Sequence, residues 1–162
     1  MTSSDQVRTP AASRVEMVQM VMPLHTNSLG SLFGGQMVAW IDMAASMAAI
    51  RHSHSYVVTV AIDQLTFQRP IREGMAVVLA AQVDWVGHTS LEVAVQVWSE
   101  QLLSGVRELT NQAFLSFVAV DRQLKPVPVP ALTLVTDEDR RAFADAERRR
   151  ERRLSQREEE RA

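Results

Sequence analysis

The chain predicts an α+β fold in which one curved antiparallel β-sheet wraps around a single long α-helix. Three observations carry this expectation. Residues 34–50, GGQMVAWIDMAASMAAI, are an apolar run rich in Ala and Met with a Gly-Gly entry, too long for a buried strand and without period-two alternation. One strand-like segment precedes the run, and four long ones follow it between short turn signals. A helix that is apolar on every side must be covered, and a sheet folded around it is the economical cover.

Taken in order, residues 1–13, MTSSDQVRTPAAS, are polar and lack the apolar stretch of a signal peptide, so a disordered lead-in is expected. RVEMVQMVM alternates loosely and reads as the first strand. After the helix, YVVTVAIDQLTF is a strand ending at the turn-forming QRPIREG. MAVVLAAQVDWV and TSLEVAVQVWSE follow, joined by a tight turn at Gly87-His88, and a loop at Ser104-Gly105 leads to RELTNQAFLSFVAVD. In TSLEVAVQVWSE, Leu91, Val93, Val95 and Val97 share one face, and Glu92, Gln96 and Trp98 share the other. The short turns predict that the last three strands are hairpin-connected and antiparallel. The domain body therefore spans residues 14–130. The proline-punctuated KPVPVPAL ends the last strand, and 131–162 is a linker followed by a charged helix or tail. Pairs such as Glu147 with Arg150 support a solvated helix there, although like-charged neighbours also occur. A lone sheet leaves an edge and a face uncovered, which predicts at least a dimer.

The net charge of −2 provides no basic excess for a nucleic-acid or membrane partner. With no cysteine, disulfides, thiolate catalysis and Cys-ligated zinc are excluded. Asp42 and Ser46 interrupt the longest apolar run before it reaches membrane-spanning length, so a cytoplasmic protein is expected. His52 and His54 in HSHS have no acidic ligand nearby and read as a solvated loop rather than a metal site. His25, without a visible partner, reads as a loop histidine.

Asp42 is the anomaly. It is a carboxylate among Met, Ala, Val, Trp and Ile, at a mid-helix position where Asp has poor propensity. Burying a charge without partners is strongly disfavoured, so the side chain needs a hydrogen-bond donor, a water or a substrate. Two readings stand on the residues alone: a structural Asp satisfied by Ser46 one turn on or by a backbone N–H of a neighbouring strand, or a functional carboxylate. Asn27, in TNSLG, reads first as a residue stabilising the turn, the alternative being an amide able to orient water or polarise a carbonyl.

HTNSLGSLFGGQMVAWIDMA, then VVTVAIDQLTFQRPIREGM, then VGHTSLEVAVQVW, resembles the hotdog-fold acyl-CoA thioesterases, in particular the branch holding the bacterial and brain-type acyl-CoA hydrolases. The likeness covers most of residues 17–130 and neither tail. It implies the hotdog fold around the helix of residues 34–50, and two sites shared by two joined subunits. It also implies assembly beyond the dimer into tetramers or hexamers (trimers of dimers), a catalytic Asp42, and Asn27 facing it across the interface.

On that footing Asp42 acts on a thioester either as a general base towards water or as a nucleophile forming an acyl anhydride. The free N–H groups at Gly34 and Gly35, with the positive end of the helix dipole, suit the developing oxyanion. Eight residues of helix rise about 12 Å, too far for Asp42 and Gly34 of one chain to share a carbonyl unless the first turn is irregular or Gly34 lies off the axis, so a composite site between subunits is favoured. Coenzyme A is part of the substrate and no cofactor is expected. Its phosphates need donors, for which Arg69 and the Gly87-His88-Thr89-Ser90 turn are candidates, a plain hairpin turn being the alternative. The acyl chain is assigned to Met37, Trp40 and Met47, for which core packing is the alternative. A non-catalytic acyl-CoA-binding module and a hotdog hydratase are competing readings. The first usually carries an effector domain not visible here, and the second needs a His that residues 34–50 lack.

Overall fold

The computed structural model describes residues 7–63 and 65–162. The elements run α1 (Pro10–Ser13), β1 (Val15–Met20), a 3-10 turn (Pro23–His25), α2 (Gly34–Ser53), β2 (Tyr56–Asp63), β3 (Ala76–Val86), β4 (Ser90–Gln101), β5 (Val106–Val120) and α3 (Asp137–Arg161). All pairings in the sheet are antiparallel and its order is β1-β3-β4-β5-β2, so β3, β4 and β5 form the predicted meander and β2 is an edge. Among the described residues no helix is long and apolar enough to cross a membrane.

The concave face presents alternate residues to α2. Val77, Leu79, Ala81 and Val83 of β3, Leu91, Val93, Val95 and Val97 of β4, and Ala113, Leu115 and Phe117 of β5 belong to one core with Ile41, Ala44, Ala45, Ala48 and Ala49. Alanines on this face of α2 let the helix lie close to the sheet, and a core packed this tightly tolerates little change in volume. The helix is not covered all round, however. Met43, Met47 and Ile50 are exposed, as are Tyr56, Val58, Val60 and Ile62 of the edge strand β2.

Two expectations about the ends are corrected. Residues 1–6 of the expected lead-in lie outside the described residues, but 7–13 are not a loose tail. Thr9 caps α1 through its side chain, Pro10 and Ser13 are buried, and the Val83 N–H donates to Ser13 Oγ at 2.9 Å. The second correction concerns α3, which is docked on the convex face of the sheet rather than solvated. Arg149 is buried, its guanidinium bonded to Glu92 at 2.6–2.8 Å and stacked 3.5 Å from the Phe114 ring centroid. Arg153 reaches Glu92 at 3.1 Å and also Asp63, while Phe143 meets Trp85. Glu92, on the face opposite the core valines, is thus buried between α3 and the sheet. HSHS is corrected as well: His52 and Ser53 close α2, and His54 is its left-handed cap (φ 52°). His52 is buried with a ring nitrogen 2.9 Å from the Pro130 carbonyl; burial holds its pKa below the usual histidine value, against the opposing effect of that bond. The prolines of the linker alternate with donors, Val127 N–H bonding Ala119 O and Val129 N–H bonding His88 O, so this segment is fastened to the body.

Under α3 a bulge between Val83 and Trp85 leaves Asp84 buried. Burial pushes its carboxyl up to about 6 from 3.8, although the Gln82 side chain (3.1 Å) and the nearby Arg149 pull the other way. The folded chain therefore holds a proton in a range where the unfolded chain has lost it. The resulting stabilisation is complete below pH 3.8 and is lost as pH rises through about 6. Its size is about 3 kcal/mol at most. Asp84→Asn is expected to remove this dependence, so urea unfolding of variant and wild type should converge towards pH 4 and separate above pH 6, with the variant the more stable. Parallel profiles would contradict the assignment.

Candidate active site

The chain enters α2 through a tightly bonded loop. The Asn27 side-chain oxygen accepts from the N–H groups of Leu29 (2.9 Å) and Ser31 (3.2 Å), and the Asn27 N–H donates to Ser31 O. Gly30 takes φ +75°, a conformation that a side chain would strain. Leu32 and Phe33 N–H donate to Ile71 O and His25 O, fixing the helix start. Of the first free helical donors, Gln36 and Met37 N–H bond Phe33 O, whereas the Gly34 and Gly35 N–H groups have no hydrogen bond among the described residues. No side chain caps this end of the helix.

A cleft of about 330 Å³ opens at that helix end, lined by Asn27, Gly34, Met37, Phe67, Arg69 and Asn111. Arg69 pairs there with Glu108 at 2.8 Å, both side chains being more than half exposed. The structure thus brings four of the sequence-predicted residues together: Asn27, Gly34, Met37 and Arg69. His25 is not a free loop residue, since its Nδ1 accepts from the Met22 N–H (3.0 Å) and its ring meets Trp40 edge-on at 4.9 Å.

Asp42 lies elsewhere, on the side of α2 facing β2. Its Oδ1 accepts a 2.7 Å hydrogen bond from Thr59 Oγ1. Among the described residues neither Ser46 nor a backbone N–H bonds it. The carboxylate is half-buried between α2 and the edge strand, next in sequence to the exposed Met43. A register shift follows directly, between Thr59 and Ala61. Thr59 lies in the row with Phe117 and Leu91 that faces α2, whereas Ala61, one bulge residue on, lies in the row with Ser116 and Glu92 that faces α3. α2 is a regular helix throughout, so Asp42 stands about 12 Å along its axis from Gly34. Within one chain the carboxylate and the helix-end donors do not meet.

The remaining candidates are dispersed. Trp40 is buried against His25 in the core. Met47 is exposed and lines an open groove of about 970 Å³ with Ile50, Tyr56 and Val120. The 87–90 segment is a hairpin turn closed by the Gly87 N–H to Ser90 O (2.8 Å), and a side chain at Gly87 would meet the Trp85 ring at 2.7 Å. None of its residues lines the Asn27 cleft. The residue that sequence reasoning missed is Thr59. Its signal was a single polar side chain inside YVVTVAI, on the strand face turned towards the helix.

A long apolar helix held in a five-stranded antiparallel sheet is the hotdog arrangement, and here the helix carries a carboxylate on its open side and bare N–H donors at its start. The model of the family described as "Thioesterase superfamily" matches residues 29–105. The chain is 43% identical over 127 residues, 78% of its length, to the uncharacterized acyl-CoA thioester hydrolase YkhA of Bacillus subtilis (strain 168), of which 74% is covered. A structure described as an apo-hexameric acyl-CoA thioesterase is 40% identical with a TM-score of 0.88, over 94% of this chain and 97% of that one. The Staphylococcus aureus acyl-CoA hydrolase, solved with butyryl coenzyme A, coenzyme A and coenzyme A disulfide, is 31% identical with a TM-score of 0.87, over 96% and 95%. The chain belongs to the thioesterase superfamily and is a thioester hydrolase of the hotdog fold.

Proposed function

We propose that the protein hydrolyses acyl-CoA to a free carboxylic acid and coenzyme A at sites shared by two protomers, with Asp42 of one facing the Asn27–Gly34–Gly35 end of the other. The observation that carries this reading is the Asp42 carboxylate, held by Thr59 at an uncovered apolar edge and not sealed in the core. One oxygen is engaged by the Thr59 hydroxyl and the other is left for chemistry. Asp42 takes the proton of a water that attacks the thioester carbonyl, or attacks that carbon itself to give an anhydride that water opens. In both routes the carbonyl oxygen becomes an oxyanion, which the Gly34 and Gly35 N–H groups and the Asn27 amide stabilise. Collapse of the tetrahedral species breaks the carbon–sulfur bond and releases the thiolate of coenzyme A, which takes up a proton.

Single-residue variants of the S. aureus hydrolase replace an Asp, a Thr and an Asn by Ala. Asn27, Asp42 and Thr59 are the same three residue types at the same intervals along the chain, which supports their assignment here. Exposed Tyr56, Val58, Val60 and Ile62 on an edge strand favour pairing of two sheets along β2. The hexameric relative supports further assembly of such dimers. For coenzyme A, Arg69 is the favoured phosphate donor because it stands in the Asn27 cleft and its exposed pairing with Glu108 is weak enough to exchange. The Thr89 and Ser90 hydroxyls and His88 are a second candidate set. The acyl chain is assigned to the apolar margin from Met37 towards Met47; Trp40 backs it from the core. No cofactor takes part.

The test is thiol release over acyl-CoA substrates of graded chain length. Turnover with at least one chain length is expected, and ligand-induced stabilisation without turnover on any of them would replace the enzyme by a binding module.

A further inference from the structure

A separate cavity, of about 170 Å³, lies between α3 and the convex face of the sheet, on the opposite side of β2 from Asp42. It has room for about five waters, or for one tetrahedral oxyanion with its hydration. Its α3 wall carries Arg150, Arg153 and Arg157, and its floor carries Ser90, Glu92 and Ser116. The floor residue Ser116 is more than nine-tenths buried, sits in the row that faces α3, and its Oγ has no hydrogen-bond partner among the described residues. A buried hydroxyl without a partner is a standing cost, about 1–3 kcal/mol, that a ligand oxygen would relieve.

The charges are unequally matched. Glu92, the one carboxylate in the lining, is already bonded by Arg149 and by Arg153, and Arg153 is shared with Asp63. Arg150 lies over the Trp85 ring at 5.2 Å, and neither it nor Arg157 has an ion pair among the described residues. Two guanidinium groups therefore flank a partly enclosed space that also holds a donor hydroxyl in need of an acceptor. Guanidinium forks and a hydroxyl together match the several oxygens of a phosphate group, and its charge suits two cations without an ion pair.

We infer that this cavity is a phosphate-group site, distinct from the Asp42 cleft, at which Arg150, Arg157 and Ser116 bind inorganic phosphate or the phosphate of a nucleotide. Its floor includes Val60 and Ala61. These residues follow Thr59 at the register shift of β2, so the ligand sits directly behind the Asp42–Thr59 pair; Ser90 is the one lining residue shared with the alternative coenzyme A set, and it is left unchanged in the test.

The experiment uses the full chain, titrated with sodium phosphate against sodium chloride at matched ionic strength and followed by calorimetry and melting temperature. Phosphate is expected to bind and to raise the melting temperature beyond chloride. Arg157→Glu, on an exposed stretch of α3, and Ser116→Val, which fills the cavity with methyl groups, should each weaken binding by about tenfold or more. Arg148→Ala, whose side chain pairs with Asp145 on the outside of the helix, should not. A parallel titration with adenosine 3′-phosphate distinguishes the sources. Tighter binding than phosphate, lost in the same variants, identifies a nucleotide as ligand, and equal or weaker binding identifies the free ion. Absence of a phosphate effect in the wild type, or one unchanged in Arg157→Glu and Ser116→Val, overturns the site. Either result is independent of thioester hydrolysis.

Discussion

Asp42→Asn is expected to lower kcat for acyl-CoA hydrolysis by about 10³-fold, within the range that a positioned acid–base group contributes. The substitution is nearly isosteric. The Thr59 hydroxyl donates to an amide oxygen as it does to a carboxylate, so the 2.7 Å contact that ties α2 to β2 can persist. What is lost is the capacity to accept a proton or to attack. Because substrate is held by the cleft residues and the apolar margin, KM should change much less than kcat, the pattern of an interaction made only in the transition state. Unchanged circular dichroism and elution volume would separate this loss from misfolding. A variant retaining more than about a tenth of wild-type kcat would remove Asp42 from the chemistry, since a general base or nucleophile contributes at least about 10²-fold. Thr59→Val, which keeps the shape and removes the donor, should lose less than Asp42→Asn. Single turnover in heavy-oxygen water then reports one of the routes: label found in the Asp42 carboxylate means that water opened an anhydride at the Asp42 carbon.

What the sequence made legible was local and periodic. The start of α2 at Gly34 and the alternation in β4 that buries Leu91, Val93, Val95 and Val97 could be read from spacing alone. The β2 prediction overshot, because its apolar pattern continues to Phe67 while the strand ends at Asp63; beyond it the Thr66 carbonyl is taken by the Asn111 side chain instead of a ladder partner. Features made by distant pairs were not legible. Glu92 could be placed only on the face opposite the core valines, because its cover, Arg149, lies in a segment whose composition suggests a free tail. The weak stripe Phe143, Ala146, Arg149, Arg153 was the available signal, and its meaning depends on Glu92 and Asp63 being exposed to the same side of the sheet. The carboxylate at Asp42 was conspicuous for the same reason that its partner was not. A charge in an apolar run stands out, but the Thr59 hydroxyl meets it only through the packing of α2 against an edge strand that spacing along the chain does not locate.

Equal amounts of Asp42→Asn and Asn27→Asp chains, each nearly inactive alone, are expected to recover about one quarter of wild-type activity when co-refolded. Random pairing makes half of the dimers mixed, and each mixed dimer holds one intact site of two. Asn27→Asp is chosen over Ala because the Oδ1 that accepts from the Leu29 and Ser31 N–H groups is retained, so the loop ahead of α2 keeps its shape. The second carboxylate then lies beside the Gly34 and Gly35 donors, where it repels the developing oxyanion. In a mixed dimer, one site combines the native Asp42 of the Asn27→Asp chain with the native Asn27 of its partner, and the other site combines both substitutions. The recovery has its physical basis in the separation of about 12 Å along one regular helix, which no side-chain motion closes. If each chain formed its own site, every mixture would stay as inactive as its parents, and the composite arrangement would be wrong even with Asp42 catalytic. Dilution sharpens the distinction further: a shared site loses activity as subunits part, at the concentration where the assembly itself dissociates.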